Sequence, residues 1–174
     1  MAKIKNKSKE RTNTRTRNLS EIISPVENLT FDFKYKYLKT LRNKKFSNRL
    51  LDEADFAKYV FNVQDIMIKL TISKWQVGQY SKNTRKISDP KERDVVIDIL
   101  KQLHGDEVET EELQIWKLAH GNHEGTRLFC TYNELRNTMT PIFVDYYHMI
   151  NNNYKYSKKE ILKYNNFCPH LRYS

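Results

Sequence analysis

Four side chains near the C-terminal end of the chain have the chemistry to hold a phosphate and to move a proton: Arg127, Tyr146, Tyr147 and His148. A guanidinium grips phosphate oxygens with a planar fork of donors, and an imidazole titrates at about pH 6.5. A tyrosine donates a hydrogen bond or stacks on a base. Together these groups could bind a phosphate and transfer a proton, so they predict a reactive or phosphate-binding face. These residues are the candidate catalytic set.

Three predicted strands would position this set. They cover residues 116–119, 126–132 and 140–150, with turns at 120–123 and 133–137. Alternation along the last strand puts Tyr146 and His148 on one face, and Asp145 and Tyr147 on the other. The phase stays open in the sequence: if Phe143 faces the core, His148 faces outward.

A purely structural role is the alternative for these residues. His148 could close the edge of a strand while Arg127 pairs with the acidic run at 106–112. Tyr146 and Tyr147 could be half-buried sheet aromatics. His120 and His123 flank a Gly-Asn turn that ordinary hairpin chemistry explains, so they are second-rank candidates.

The first half of the chain carries one strand pattern and two helix patterns. Aromatic and polar residues alternate over 29–37, which predicts a strand. An apolar repeat over 56–70 predicts a helix that Asp52 or Asp55 caps. A second helix is predicted from Asp89 and Pro90 to about Leu103, before His104 and Gly105.

The order of these elements predicts an α+β fold. An antiparallel sheet of about four strands, with the two main helices on one side, is the economical arrangement. Residues 75–88 are polar and basic and predict a loop, and residues 158–164 predict a short helix.

Positive charge is concentrated at the N-terminus. The chain has 174 residues, a formal net charge of +10 and a pI near 9.5. Residues 1–18 hold seven cations and one carboxylate, which gives +6 and leaves +4 for the rest. This segment has too few apolar residues to repay the entropy of folding, so residues 1–19 are predicted to be a disordered basic arm. Residues 20–150 would form a single domain and residues 151–174 a C-terminal extension.

This charge favours a polyanionic partner. Basic side chains could neutralise phosphates, with Tyr35, Tyr37 and Tyr80 among them as stacking surfaces. The predicted nucleic-acid-binding residues are Lys3, Lys5, Lys7, Lys9, Arg11, Arg15, Arg17, Lys34, Lys36, Lys44, Lys45, Lys82, Arg85 and Lys86. Lysine-rich surfaces also keep proteins in solution, which is the alternative for the body of the chain.

Several functional classes lack their sequence signatures. There is no run of roughly 18 apolar residues and no secretory signal, which predicts a cytoplasmic protein without a membrane partner. Two cysteines, Cys130 and Cys168, are too few for a disulfide framework. His120, His123, Cys168 and His170 do not stand at zinc-site spacings, and the four glycines form no phosphate-binding loop. The sequence therefore predicts neither a metal nor a cofactor.

The element order between residues 31 and 148 resembles the RelE/YoeB group of small bacterial toxins, which cut messenger RNA on the ribosome. Thr-Arg-Leu-Phe at 126–129 is similar to that group's strand with a catalytic arginine. Asp-Tyr-Tyr-His at 145–148 is similar to its final strand, which ends in His and Tyr. The resemblance implies metal-free RNA cleavage through attack by the ribose 2′-hydroxyl. His148 would be the acid or base, Arg127 would hold the phosphate oxygens, and Tyr146 or Tyr147 would donate a hydrogen bond or stack on a base. It also implies an acidic antitoxin as partner. The arm, residues 75–88 and the extension beyond Asn151 depart from that pattern.

The chain is also similar to small bacterial proteins, often on mobile elements, that open with a Phe-x-Phe-Lys-Tyr-x-Leu-like strand and close on Asp-x-x-His. Those segments are residues 31–38 and 145–148 here. Two functions are therefore expected. One is a RelE-like toxin or endoribonuclease that acts on RNA at the ribosome. The other is a non-enzymatic phage or mobile-element protein that binds nucleic acid or a host nucleoprotein complex through its arm and basic face.

Overall fold

The fold is α+β, with a five-stranded mixed sheet and four helices in the part of the chain that the structure describes. The computed structural model describes residues 28–73, 75, 84–105, 108, 113–119, 125–150 and 158–173. The elements are β1 Thr30–Phe31, α1 Glu53–Ile72, β2 Arg85–Lys86, α2 Pro90–His104, β3 Ile115–Leu118, β4 Arg127–Asn133, β5 Thr138–Asp145, α3 Lys158–Tyr164 and α4 Pro169–Tyr173. The predicted arm lies outside the described residues.

The sheet has the strand order β1-β5-β4-β3-β2. Neighbours from β2 to β5 are antiparallel, and β1 lies parallel to β5 at the edge. The expected antiparallel sheet is thus present, but it carries a parallel edge strand that the sequence did not predict. The hairpin between β4 and β5 turns at residues 134–137, where Asn137 has a φ of 46°. Asparagine tolerates this left-handed conformation better than most residues.

β1 is shorter than the alternating pattern predicted. Only its two residues pair with β5. The backbone then turns, and the N–H of Tyr37 donates to the carbonyl of Tyr35 at 2.9 Å. The prediction of one strand over 29–37 is therefore wrong beyond Phe31. The alternating aromatic rings make tertiary contacts instead. Tyr35, for example, packs against His104, with 5.0 Å between ring centroids.

Both long helices begin where the sequence predicted. The carboxylate of Asp52 accepts the N–H of Asp55 at 2.9 Å and caps α1. The carboxylate of Asp89 accepts the N–H of Glu92 at 2.7 Å, and a proline opens α2. Gly105, with a φ of 94°, ends α2 in a conformation that favours glycine. These ends are local, so their residue types suffice to mark them.

The two long helices, α1 and α2, lie on opposite faces of the sheet. The prediction that both lie on one side is therefore wrong. Glu92 of α2 reaches Lys117 of β3, whereas Trp75, just after α1, meets the neighbouring Trp116 edge-on at 5.1 Å between ring centroids. Consecutive strand residues point to opposite faces. Both faces of the sheet are apolar, with Leu128 on one and Phe129 on the other fully buried, so each needs a cover.

Two further sequence predictions are corrected at the ends of strands. The end of the predicted loop over 75–88 contains β2, which pairs antiparallel with β3, and residues 76–83 of that loop lie outside the described residues. A strand of two residues is too short to show a periodicity. The predicted last strand over 140–150 ends at Asp145, and the chain turns from Tyr146 onward.

The described C-terminal residues pack onto the rest of the fold. Leu50 and Phe167 exchange backbone hydrogen bonds of 3.0 and 2.9 Å, and Ile161 of α3 belongs to the hydrophobic core. The predicted helix over 158–164 is confirmed, and α4 follows it. Within the described ranges, no helix combines the length and the apolar character that crossing a bilayer requires.

Candidate functional site

A buried carboxylate shapes the turn that presents His148. Asp145 accepts the backbone N–H groups of Tyr147, Met149 and Ile150 at 3.3, 3.0 and 3.1 Å. Burial raises the pKa of Asp145, while the three N–H groups and the charge of Arg127 act in the opposite direction. His148 lies within this turn at a φ of 57°. A residue other than glycine rarely adopts this backbone conformation, and the residues that do are concentrated at functional sites.

Arg127 lies opposite Asp145 on the neighbouring strand. The two residues are register partners in β4 and β5. The half-buried guanidinium donates from Nη1 to the carbonyl of Thr126 at 2.8 Å. Its Nε is buried and has no hydrogen-bond partner among the described residues. Burial lowers the pKa of Arg127, but an arginine stays charged in a protein. The site therefore contains a fixed cation with an unused donor.

Two more cations flank one buried carboxylate beside Arg127. Arg85 and Lys117 are register partners across β2 and β3. The carboxylate of Glu92 accepts Arg85 Nη2 at 2.6 Å and lies 3.5 Å from Lys117 Nζ. Lys117 is the register partner of Phe129, two residues from Arg127, so Arg85, Lys117 and Arg127 share one face of the sheet.

His148 belongs to the same group. Burial, followed by the charges of Arg127 and Lys117, lowers the pKa of His148 to about 4, and Glu92 opposes that shift. The imidazole is neutral near pH 7. It can therefore accept a proton or a hydrogen bond there, but it holds no proton to give as an acid.

We call Arg85, Glu92, Lys117, Arg127, Asp145 and His148 the charged cluster. Three cations face two carboxylates, so the cluster carries an excess of positive charge when both carboxylates are ionised. Lys117 and Glu92 are buried, whereas Arg127 and His148 are half-buried and form the accessible side.

The two tyrosines of the predicted catalytic set are core residues. Tyr146 is fully buried, and its ring lies 4.9 Å from that of Tyr59. Tyr147 is also buried, and its hydroxyl donates to Asp55 at 3.5 Å. Burial raises the pKa of both hydroxyls. A substrate has no access to Tyr146, so the structure keeps only Arg127 and His148 of the predicted set together.

The predicted nucleic-acid-binding residues separate into three groups. The arm residues Lys3, Lys5, Lys7, Lys9, Arg11, Arg15 and Arg17, together with Lys82, lie outside the described residues. The side chains of Lys34, Lys36, Lys44, Lys45 and Lys86 are exposed. Arg85 is half-buried and paired with Glu92. The second-rank candidates His120 and His123 also lie outside the described residues.

Sequence reasoning missed Lys117 and Glu92. Glu92 stands three residues after the N-cap Asp89, which is the ordinary position of a capping-box glutamate. Lys117 stands in a four-residue strand that is otherwise apolar. A lysine at such a position was the available signal, because a buried ammonium requires a partner.

The fold and the cluster define an α+β protein with a half-buried cationic site at the ends of adjacent strands. The chain belongs to the family described as "Uncharacterised protein UU032", whose model matches residues 33–174. A relative from Ureaplasma parvum serovar 3, with the same description, is 21% identical over 175 residues, which span 99% of this chain and 95% of that protein. No solved structure gives a significant match. The matched region contains the whole charged cluster.

Proposed function

We propose that this protein binds RNA in the cytoplasm and that the charged cluster holds one phosphate of the strand. The proposal rests on Arg127 and Lys117, which lie on one face of the sheet, and on the half-buried His148 in the turn after β5, whose pKa their charges lower. A phosphodiester would complement the excess positive charge.

Exposed lysines would add long-range attraction to this contact. Lys34, Lys36, Lys44, Lys45 and Lys86 are all solvent-exposed. Each phosphate that a cation neutralises releases counterions, so the affinity of such a protein falls as salt rises. The proposed source of this RNA is the ribosome or another nucleoprotein complex. These partners belong to the proposal, as does an acidic protein that would cover the site.

Substitution of Arg127 tests the phosphate contact. Arg127→Gln should weaken binding to a labelled single-stranded RNA by about tenfold or more, and should lower the slope of log affinity against log salt by about 0.7. Fluorescence anisotropy at several salt concentrations measures both quantities. Arg136→Gln is the matched control, because Arg136 is exposed in the turn at the other end of the same hairpin. Equal affinity of the two variants would remove Arg127 from the site.

RNA cleavage is the second candidate function, and the position of His148 favours it. A neutral imidazole beside two cations could accept the proton of a ribose 2′-hydroxyl. The 2′-oxygen would then attack phosphorus, and the bond to the 5′-oxygen would break. The leaving oxygen would take a proton from solvent. The products would be a 2′,3′-cyclic phosphate and a 5′-hydroxyl.

Cleavage is tested with the same RNA in the presence of EDTA. The wild type should produce ends with a 2′,3′-cyclic phosphate, and His148→Asn should produce them at least about a hundredfold more slowly. Asparagine is the chosen replacement because it tolerates the left-handed backbone at this position. Binding without cleavage by the wild type would leave RNA binding as the function and exclude the nuclease.

A further inference from the structure

A cavity with aromatic walls is lined by none of the residues of the charged cluster. It has a volume of about 470 Å³, and its lining includes Tyr35, Lys36, Lys39, Phe56, His170 and Tyr173. Three parts of the fold form it: the segment after β1, the first turn of α1, and α4. Its volume lies within the range of about 300 to 1,000 Å³ that small-ligand pockets occupy.

The aromatic rings are held in place from behind. The ring of Tyr35 packs on His104 at 5.0 Å, and the ring of Phe56 packs on Phe167 at 6.4 Å. Tyr173 lies 6.5 Å from Phe56 at an interplanar angle of 30°, and 64% of its surface is exposed. The pocket therefore combines supported rings with a ring that solvent can reach.

The polar groups around these rings are cationic or neutral. Lys36 is exposed at the pocket, and Lys39 is anchored by a 2.6 Å hydrogen bond from its Nζ to the carbonyl of Leu103. No aspartate or glutamate is among the described lining residues. Rings with nearby cations and no carboxylate suit a ligand that is flat, aromatic and attached to negative charge.

We propose that this pocket takes an unpaired base of the RNA strand, with the adjacent phosphate on Lys36. This inference rests on the proposed RNA binding. It specifies that the RNA is single-stranded, because a base inside a duplex cannot enter a pocket. Stacking on aromatic side chains is the usual way in which proteins hold unpaired bases, and it tolerates different sequences. Stacking of the base in the pocket would add to the charged cluster a contact that salt does not screen.

The test uses a single-stranded RNA with one 2-aminopurine, whose fluorescence falls when the base stacks. The wild type should quench this fluorescence and bind the strand more tightly than a duplex of equal length. Tyr173→Ala and Lys36→Gln should each weaken binding, Tyr173→Ala by at least about fivefold, the lower end of what one stacked base contributes. Tyr164→Ala and Lys159→Gln are the matched controls, because both side chains are exposed and neither lines the pocket.

The outcomes separate this inference from the proposed function. RNA binding that Arg127→Gln weakens, but that Tyr173→Ala and Lys36→Gln leave unchanged, would overturn the base pocket and keep the phosphate site. Equal binding of single strand and duplex without quenching would also overturn the pocket. Failure of the wild type to bind any RNA would overturn the proposed function and the pocket together.

Discussion

At the scale of single residues, the site depends on a histidine in an unusual backbone conformation. His148 has a positive φ because the Asp145 carboxylate gathers the N–H groups of Tyr147, Met149 and Ile150 around itself. The turn holds the imidazole beside Arg127, whose charge adds to the effect of burial. The same turn therefore gives His148 its positive φ and places its imidazole where the charge of Arg127 lowers the pKa.

Acid should destabilise the fold through His148. Its pKa falls from 6.5 to about 4 on folding, so the unfolded chain binds more protons between these values. The free energy of unfolding should therefore decrease as the pH falls from about 6.5 to about 4. The size of this component is about 1 to 2 kcal/mol, once solvent screening of the half-buried ring is allowed for.

Urea unfolding of the wild type and His148→Asn at about pH 7 and pH 4.5 isolates this component. Asparagine does not titrate, so the variant should lose less stability on acidification than the wild type. Parallel losses in the two proteins would show that the imidazole titrates normally in the folded state. Other acidic groups contribute equally to both proteins and cancel in the comparison.

Among the secondary-structure elements, α3 and α4 pack onto the rest of the fold. The paired hydrogen bonds between Leu50 and Phe167 join the segment between α3 and α4 to the start of α1. α4 also supplies Tyr173 and His170 to the aromatic pocket. The segment that the sequence described as an extension thus supports both the core and the proposed base pocket.

Truncation of Ile161 should show how much α3 stabilises the fold. Its side chain is 6% exposed and lies in the core, so Ile161→Ala should cost about 2 to 4 kcal/mol of unfolding free energy. Leu171→Ala is the control, because Leu171 is 75% exposed and its loss should change stability by no more than about 0.5 kcal/mol. Chemical denaturation measures both. Similar small effects would mean that α3 adds little to the core.

At the scale of the whole molecule, charge is distributed unevenly along the chain. The first 18 residues carry +6 of the formal +10, and the family model matches from residue 33 onward. The charged cluster and the aromatic pocket both lie in the matched region. Local contacts in this region would position the RNA, and the arm would add attraction that does not depend on sequence.

Removal of residues 1–18 should lower RNA affinity most strongly at low salt. Each neutralised phosphate contributes about 0.7 to the salt slope of single-strand binding, so the loss of several arm cations should reduce the slope by several units. Anisotropy titrations of the full and shortened chains from about 50 to 200 mM salt give this slope. An unchanged slope would mean that the arm does not touch RNA. Equal thermal unfolding midpoints would confirm that the shortened chain is folded.

Local patterns of residue types were enough to predict the two long helices, the strands β3 and β4 and the α+β class. These depend on local signals: the caps Asp52 and Asp89, a repeat of apolar residues, and the strand and turn residues around 126–137. It also singled out Arg127 and His148, because few residue types can hold a phosphate or move a proton.

Contacts between distant segments set the parallel pairing of β1, the placement of α1 and α2 on opposite faces and the composition of the site. Arg85, Glu92 and Lys117 meet only after α2 and β3 come together across the sheet. The pocket likewise brings Tyr35 to Tyr173 across most of the chain. Such contacts arise from burial of apolar faces shared by distant segments, and local periodicity carries no information about which segments will share them.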